Sequence, residues 1–254
     1  MRAAIVTGAG RGIGRAIAFE LSTLGYSLGL AARTESELLQ TRDRILDGGG
    51  RAIAVPCDVT HEGAVQILVD VCRNELGPLH AVVAAAGQAR SSPIERTTED
   101  DLLELYRANV VSVFHLIKAS SRRMIEDGVA GRIVVVASTA ATKAFRYTTA
   151  YTASKHAVLG LVRASALELA RKGITVNAIC PGWVDTQMFD TTLENIASKT
   201  GVSRDEAKRR IVSQIPLGDV LSPEEVAASV RPFLADEGKK LTGQALVLDG
   251  GETL

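Results

Sequence analysis

An apolar run, Ala3-Ala4-Ile5-Val6-Thr7, stops at Gly8-Ala9-Gly10-Arg11-Gly12-Ile13-Gly14, and the stretch from Arg15 to Leu21 then spaces its apolar residues as a helix does. Strand, glycine turn and helix, in that order, is the context a dinucleotide-binding glycine motif requires. Glycines let backbone approach a pyrophosphate with no Cβ between them, and a helix N-terminus offers unpaired N–H groups to the anion. A glycine turn alone is often only a turn. Here it opens a chain that keeps alternating short apolar runs with helix-spaced segments. Strands separated by helices form a parallel sheet covered on both faces, which commits the chain to a doubly wound α/β fold.

The alternation runs the length of the sequence. Ser27 to Ala32 reads as the second strand, Arg51 to Val55 as the third, ended by Pro56, and Ala81 to Ala85 as the fourth. Helical spacing from Glu62 to Glu75 breaks at Gly77-Pro78. Thr98-Glu99-Asp100-Asp101 is an acidic helix start leading into a long helix. Arg132 to Val136 is a fifth strand that delivers Ser138, Ile174 to Ile179 a sixth, and Leu246 to Leu248 the last. Between Pro181-Gly182 and about Pro216 lies a long excursion, and a helix begins near Ser222-Pro223-Glu224-Glu225. With no linker, repeat or low-complexity tract, residues 1–254 read as one domain. Ligands of such sheets bind beyond the strand C-termini, where the glycine loop, Ser138 and Pro181-Gly182 all fall.

Lysine plus arginine equals aspartate plus glutamate at 29 each, so no net field recruits nucleic acid or a membrane surface. No apolar run approaches the roughly 20 residues that cross a bilayer. The first strand starts almost at Met1, which leaves no room for a secretory signal. Cys57, Cys72 and Cys180 are odd in number and scattered, against a disulfide framework. Neither they nor His61, His80, His115 and His156 have metal-ligand spacing. A cytoplasmic protein without a metal is expected.

Tyr151 and Lys155 stand four apart, so on a helix they share a face, with Ser138 thirteen residues before the tyrosine. An ammonium beside a phenol favours the phenolate, drawing the tyrosine below its ordinary pKa of about 10. Such a tyrosine gives a proton to a carbonyl oxygen or takes one from an alcohol, and Ser138 can hold that oxygen. Most Tyr/Lys pairs at this spacing are solvated helix faces; the glycine loop gives this one its weight. At the end of the second strand a carboxylate would meet the ribose 2′-hydroxyl of NAD, whereas arginine accommodates a 2′-phosphate. Ala32 is followed by Arg33, and Arg11 lies in the glycine loop, which predicts NADP(H); Glu35 is near enough to leave NAD(H) open.

In combination these motifs identify the chain as resembling the short-chain dehydrogenase/reductase family, of the compact kind with a single Rossmann-like domain. The resemblance runs from Thr7 to Asp249-Gly250-Gly251 and includes Asp58-Val59, Asn109, Tyr151-Thr152-Ala153-Ser154-Lys155 and Pro181-Gly182. It implies a catalytic group of Asn109, Ser138, Tyr151 and Lys155: Tyr151 as general acid/base, Ser138 orienting the substrate oxygen, Lys155 tuning the tyrosine and holding the nicotinamide ribose, Asn109 supporting a proton-relaying water. It further implies that Gly8, Arg11, Gly12, Ile13 and Gly14 cradle the phosphates. Arg33, Asp58 and Val59 would then meet the adenosine, and Gly87, Pro181, Gly182 and Thr186 the nicotinamide half. By itself Asp58 passes equally well for a turn or cap residue. Where the family has Asn-Asn-Ala-Gly after the fourth strand, this chain has Ala84-Ala85-Ala86-Gly87, which predicts a loss of stability rather than of catalysis.

The expected activity is NADP(H)-dependent interconversion of a ketone, 3-oxoacyl thioesters included, and a secondary alcohol. The alternatives are an NAD-dependent secondary-alcohol or hydroxyacyl dehydrogenase and, further off, a non-catalytic nucleotide sensor. Ala140, Ala141, Phe145, Tyr147, Trp183, Met188 and Phe189 either line an apolar pocket or simply pack, and residues 183–216 are expected to form a substrate lid. Gln88, Arg90 and Arg146 either meet a polar substrate tail or sit on exposed loops. The resemblance also implies a homotetramer or homodimer.

Overall fold

Seven strands, all parallel, lie in the order β3-β2-β1-β4-β5-β6-β7 in a computed structural model that describes residues 2–254. They are β1 (Ala3–Thr7), β2 (Ser27–Ala32), β3 (Arg51–Pro56), β4 (Leu79–Ala84), β5 (Arg132–Val136), β6 (Thr175–Pro181) and β7 (Ala245–Leu248). The chain winds outward from β1 to β3, then crosses back to place β4 on the other side of β1, with Thr7 opposite both Ala31 and Ala84. That reversal between β1 and β4 opens the crevice where open α/β sheets bind ligands.

Successive side chains of a strand point to opposite faces, and β1 uses both. Ala3 and Ile5 join one buried layer, Ala4 and Val6 the other. The first layer packs under α3 (Glu62–Leu76), α5 (Ser112–Glu126) and α6 (Thr149–Leu169), the second under α1 (Gly12–Thr23), α2 (Glu35–Asp47), α9 (Pro223–Ala228) and α10 (Arg231–Leu234). The short helix α4 (Glu99–Tyr106) starts with a reciprocal cap: Asp101 N–H donates to Thr98 Oγ1 (3.1 Å), and Thr98 N–H donates to Asp101 Oδ2 (3.0 Å). Ser222 and Glu225 do the same for α9, with Pro223 at its first position.

The structure departs from the sequence reading in two places that bear on function. The long helix after Thr98 is interrupted by a π-helical turn, Arg107–Val111, between α4 and α5. The excursion after Pro181 is itself helical: α7 (Gln187–Thr200) and α8 (Arg204–Val212) pack Phe189, Leu193, Ala207 and Ile211 into a small core of their own. Strand boundaries shift by one or two residues, the fourth running Leu79–Ala84 where 81–85 was expected. Among the described residues no helix is long and apolar enough to cross a membrane.

Candidate active site

Two glycines of the loop stand where no side chain fits. A Cβ on Gly14 would lie 2.2 Å from Gly8 O, and one on Gly8, whose φ is +68°, would lie 2.9 Å from Ala85 O. The first contact lets α1 close against the end of β1; the second lets the loop lie on the turn after β4. Gly12 (φ +52°) has Thr186, at the start of α7, as its neighbour across the crevice. Gly8, Gly12, Gly14 and Thr186 therefore meet around one cleft, with the α1 N-terminus at its floor. An anionic pyrophosphate fits a cradle of bare backbone at a helix N-terminus, so these residues suit a dinucleotide.

The alanines that replace side-chain amides after β4 do not leave this turn unheld. Thr7 Oγ1 accepts from Ala85 N–H (3.2 Å) and Ala86 N–H (3.3 Å), tying the end of β1 to the turn. Replacing Thr7 by the isosteric Val strands both donors. Chemical denaturation is expected to show a loss of about 2 kcal/mol, the scale of a buried group left unsatisfied.

Of the residues expected to meet adenosine, Arg33 is exposed just beyond β2 and acts electrostatically on Asp58. Asp58 Oδ1 is engaged by Thr60 N–H (3.0 Å) and the Thr60 hydroxyl (2.7 Å), bonds that hold its carboxyl below the usual range. The turn role thus belongs to Asp58 whatever else it meets. Val59 is half-buried against the core. Arg11 reaches across the cleft mouth to Gln187 and lies 3.6 Å from Glu37 Oε1. In this arrangement it faces α7 and α2 rather than standing free.

The residues expected to be catalytic come from three elements. Ser138 follows β5 in extended backbone, its Oγ accepting from Ala140 N–H (3.1 Å), and shares a hydrogen bond with the Tyr151 hydroxyl. Tyr151 lies in the first turn of α6, and Lys155 one turn further is 6% exposed. The Lys155 ammonium donates to Val136 O (3.4 Å) and stands 5.7 Å from the Tyr151 ring centroid. Burial pushes the lysine down to about 8. Burial also raises the Tyr151 phenol, and the Ser138 hydrogen bond only partly opposes it. The expectation that Lys155 draws the tyrosine down is therefore not met in the protein alone. The ammonium sits beside the ring, and burial governs the phenol. Cys180, buried at the end of β6, is a neighbour the sequence reading missed; it interacts with both Tyr151 and Lys155.

Asn109 is brought here by the π turn, a bulge that re-aims side chains within a helix. It is 1% exposed; its Nδ2 donates to Gln88 O (3.0 Å) and Ser154 Oγ (3.0 Å), and its Oδ1 accepts from Gln88 N–H (2.8 Å). Both donors are consumed, leaving an Oδ1 lone pair for anything else. Gly87 packs against this amide: a Cβ there would be 3.0 Å from Asn109 Oδ1 and 3.7 Å from Lys155 Nζ. Pro181 ends β6, and Gly182 lets the C-terminal tail pass, since its Cβ would meet Asp249 and Glu252 at 3.0 Å.

The expected pocket residues divide. Ala140 and Ala141 are buried, Ala141 within the main core, so they pack. Phe189 is buried in the α7–α8 core, with half-buried Trp183 packed against that core. Tyr147 (61% exposed, φ +64°) and Met188 (49%) face outward, and Phe145 is half-buried. Arg90 pairs with Asp101 and Glu104 and Arg146 is exposed, the loop placement foreseen for both.

The family described as enoyl-(acyl carrier protein) reductase matches residues 8–253. The chain is 36% identical over 252 residues to an L-2,3-butanediol dehydrogenase of Corynebacterium glutamicum, covering 98% of each. A diacetyl reductase, (S)-acetoin forming, of Staphylococcus epidermidis is 32% identical, again over 98% of both. The chain belongs to the short-chain dehydrogenase/reductase family. It is an oxidoreductase of CH–OH and C=O groups, dependent on NAD(P). Among solved structures, an actinorhodin polyketide ketoreductase with NADPH superposes with a TM-score of 0.95 at 36% identity, covering 99% of this chain and 97% of the other. The Rossmann-like parallel sheet expected from the alternation is thus the fold.

Proposed function

We propose that the protein is an NADP(H)-dependent ketone reductase, forming a secondary alcohol with Tyr151 as the proton donor. The observation that carries this reading is the Tyr151–Ser138 hydroxyl pair at the end of β5, with Lys155 buried beside it and the glycine cradle opening onto the same edge. A bound nicotinamide supplies the hydride. Ser138 and Tyr151 act as preplaced donors where negative charge develops on the carbonyl oxygen. Tyr151, protonated at neutral pH because burial raises it, hands that oxygen its proton. Lys155 and Asn109 hold the floor of the site, Lys155 toward the cofactor ribose and Asn109 by clamping Gln88. Gly8, Ile13, Gly14 and Gly87 leave room for the dinucleotide, Thr186 and Pro181-Gly182 border its nicotinamide, and residues 183–216 close as a lid.

NADP(H) over NAD(H) rests on Arg33, exposed where the 2′-phosphate arrives, and on the NADPH of the actinorhodin ketoreductase. Arg11 can trade its exposed pairing for that phosphate, since such pairs contribute about 1 kcal/mol or less. Reversing the charge with Arg33→Asp is expected to lower kcat/KM with NADPH at least about tenfold relative to NADH, the worth of a charge-assisted bond of roughly 1.5–3 kcal/mol. Initial rates with both cofactors check this. The whole reading is tested by a panel of ketones, 3-oxoacyl thioesters and secondary alcohols with each cofactor. NADPH-linked ketone reduction supports it; robust NAD-linked alcohol oxidation overturns it.

A cytoplasmic homodimer or homotetramer completes the reading. Cys57, Cys72 and Cys180 are buried and unpaired, as in a reducing compartment. Phe114, Ile125 and Leu167 are exposed on α5 and α6, with Phe114 and Ile125 lining a groove of about 510 Å³ that a second copy would cover. Mass measurement in solution decides it.

A further inference from the structure

The C-terminal tail after β7 ends against the reactive edge, and it is the least explained part of the site. Asp249 organises it, accepting from Gly251 N–H and Thr253 N–H, both at 2.9 Å. The tail then touches three segments near this edge. Lys143, from the loop between Ser138 and Tyr151, donates to Glu252 O (3.2 Å). Leu217, just past α8, donates its N–H to Gly250 O (3.1 Å). Glu252 Oε1 accepts from Trp183 Nε1 (2.9 Å), one residue beyond Gly182. The Trp183 indole in turn meets Phe189 of α7, ring centroids 5.7 Å apart.

The second carboxylate oxygen of Glu252 is buried without a partner and lies over Gly182, where a Cβ would come within 3.0 Å of it. Burial raises this carboxyl, with Asp249 adding to the rise while the Trp183 hydrogen bond and Lys143 oppose it. A half-satisfied buried carboxylate is unfavourable for the fold by itself. It is placed where its one good bond fixes the orientation of an aromatic side chain between the tail and the lid.

We propose that Glu252 is a positioning residue for substrate selection: it fixes the half-buried Trp183 indole, backed by the buried Phe189 ring, as the wall against which the apolar flank of a ketone packs. This rests on the ketone-reductase reading above. The favoured substrates are then ketones with an aromatic or branched alkyl group on one side, rather than small methyl ketones. Glu252 touches no reacting atom, so its loss acts on KM for flanked ketones and leaves kcat on small ones alone.

The chain has a single tryptophan, so emission reports this contact directly. Four variants of the whole protein are compared with wild type: Glu252→Ala, Glu252→Gln, Trp183→Phe and the double Trp183→Phe/Glu252→Ala. Each is assayed with NADPH on an aryl ketone and on a small methyl ketone. Glu252→Ala is expected to shift the emission and to lower the aryl-to-methyl ratio of kcat/KM about fivefold through KM, the scale of one ordinary hydrogen bond. Glu252→Gln, which keeps an acceptor for the indole, restores most of the ratio. On the Trp183→Phe background Glu252→Ala changes nothing further. An unchanged ratio in Glu252→Ala, or an equal fall for both ketones, overturns the proposal, as does a full effect in the double variant. If Glu252→Ala does not fold, an unchanged ratio in Trp183→Phe does the same. A wild type inactive on every ketone brings down the reductase reading, and the selection with it; the emission shift still separates that failure from a misplaced Glu252.

Discussion

Tyr151→Phe is expected to lower kcat for ketone reduction about a thousandfold, within the range for losing a positioned general acid. NADPH affinity should stay within about threefold, because the ring and the buried Lys155 remain. The substitution keeps the ring volume and removes one oxygen, whose partner in the protein is the Ser138 hydroxyl. Ser138 Oγ keeps its bond from Ala140 N–H and its hydroxyl proton can turn to solvent, so folding is disturbed little. The pH dependence has a defined sign. Burial raises the phenol, so the proton-donating form persists through neutral pH, and the limb that Tyr151 itself contributes to reduction lies above the ordinary tyrosine value of about 10, beyond the loss of the Lys155 charge near 8. Alcohol oxidation needs the deprotonated form and rises over the same limb. Both limbs should vanish in the variant. Cofactor binding measured by NADPH fluorescence, alongside stopped-flow turnover, checks this; a variant keeping more than about a tenth of wild-type kcat would remove Tyr151 from the proton path.

Much of this site can be read from the residues because its parts announce themselves locally. A strand that ends in glycines before a helix can be recognised without knowing its neighbours, and Gly8 and Gly14 prove to be the positions where backbone touches backbone. Tyr151 and Lys155 share a face by helical period alone. What escapes the sequence depends on long-range pairing. The π turn that aims Asn109 at Gln88 and Ser154 hides within unbroken helical spacing, since one extra residue per turn leaves no compositional trace. Thr7 reads as an ordinary β-branched strand residue until the turn after β4 lies against it. The α7–α8 pair was legible in principle: Gly201 and Ser203 mark a helix end and a helix cap, with Phe189 and Leu193 at helical spacing between Thr186 and that end. Lys155 was misjudged for a different reason. Spacing alone suggests an attraction between ammonium and phenolate, whereas the desolvation that raises the phenol and lowers the lysine is a property of the packed interior.

That desolvation makes Lys155→Met a substitution with two large and opposite effects. Lys155 falls from an ordinary 10.5 to about 8 through burial, and at about 1.4 kcal/mol per pH unit its charge opposes folding by about 3 kcal/mol. The sign follows from linkage. Below pH 8 the lysine is charged in both states and the folded chain bears the whole penalty. Between about 8 and 10.5 the folded lysine gives up its proton while the unfolded one keeps it, and the penalty fades. Methionine has a similar apolar stem and no charge, so the variant should melt higher than wild type at pH 7, with the gap closing as pH rises through this window. Tyr151, Cys57, Cys72 and Cys180, all raised by burial, weaken both proteins in that range, and comparing the two isolates the lysine. The same variant loses the cation beside Tyr151 and the donor to Val136 O, so kcat/KM with NADPH should fall at least about a thousandfold. Stability without activity is the outcome expected where a site holds a charge that the fold alone does not favour. Paired thermal melts from pH 6 to about 10, with turnover measured on the same samples, decide the matter: a lower melting temperature at pH 7 and a pH-independent gap would mean that Lys155 is structural.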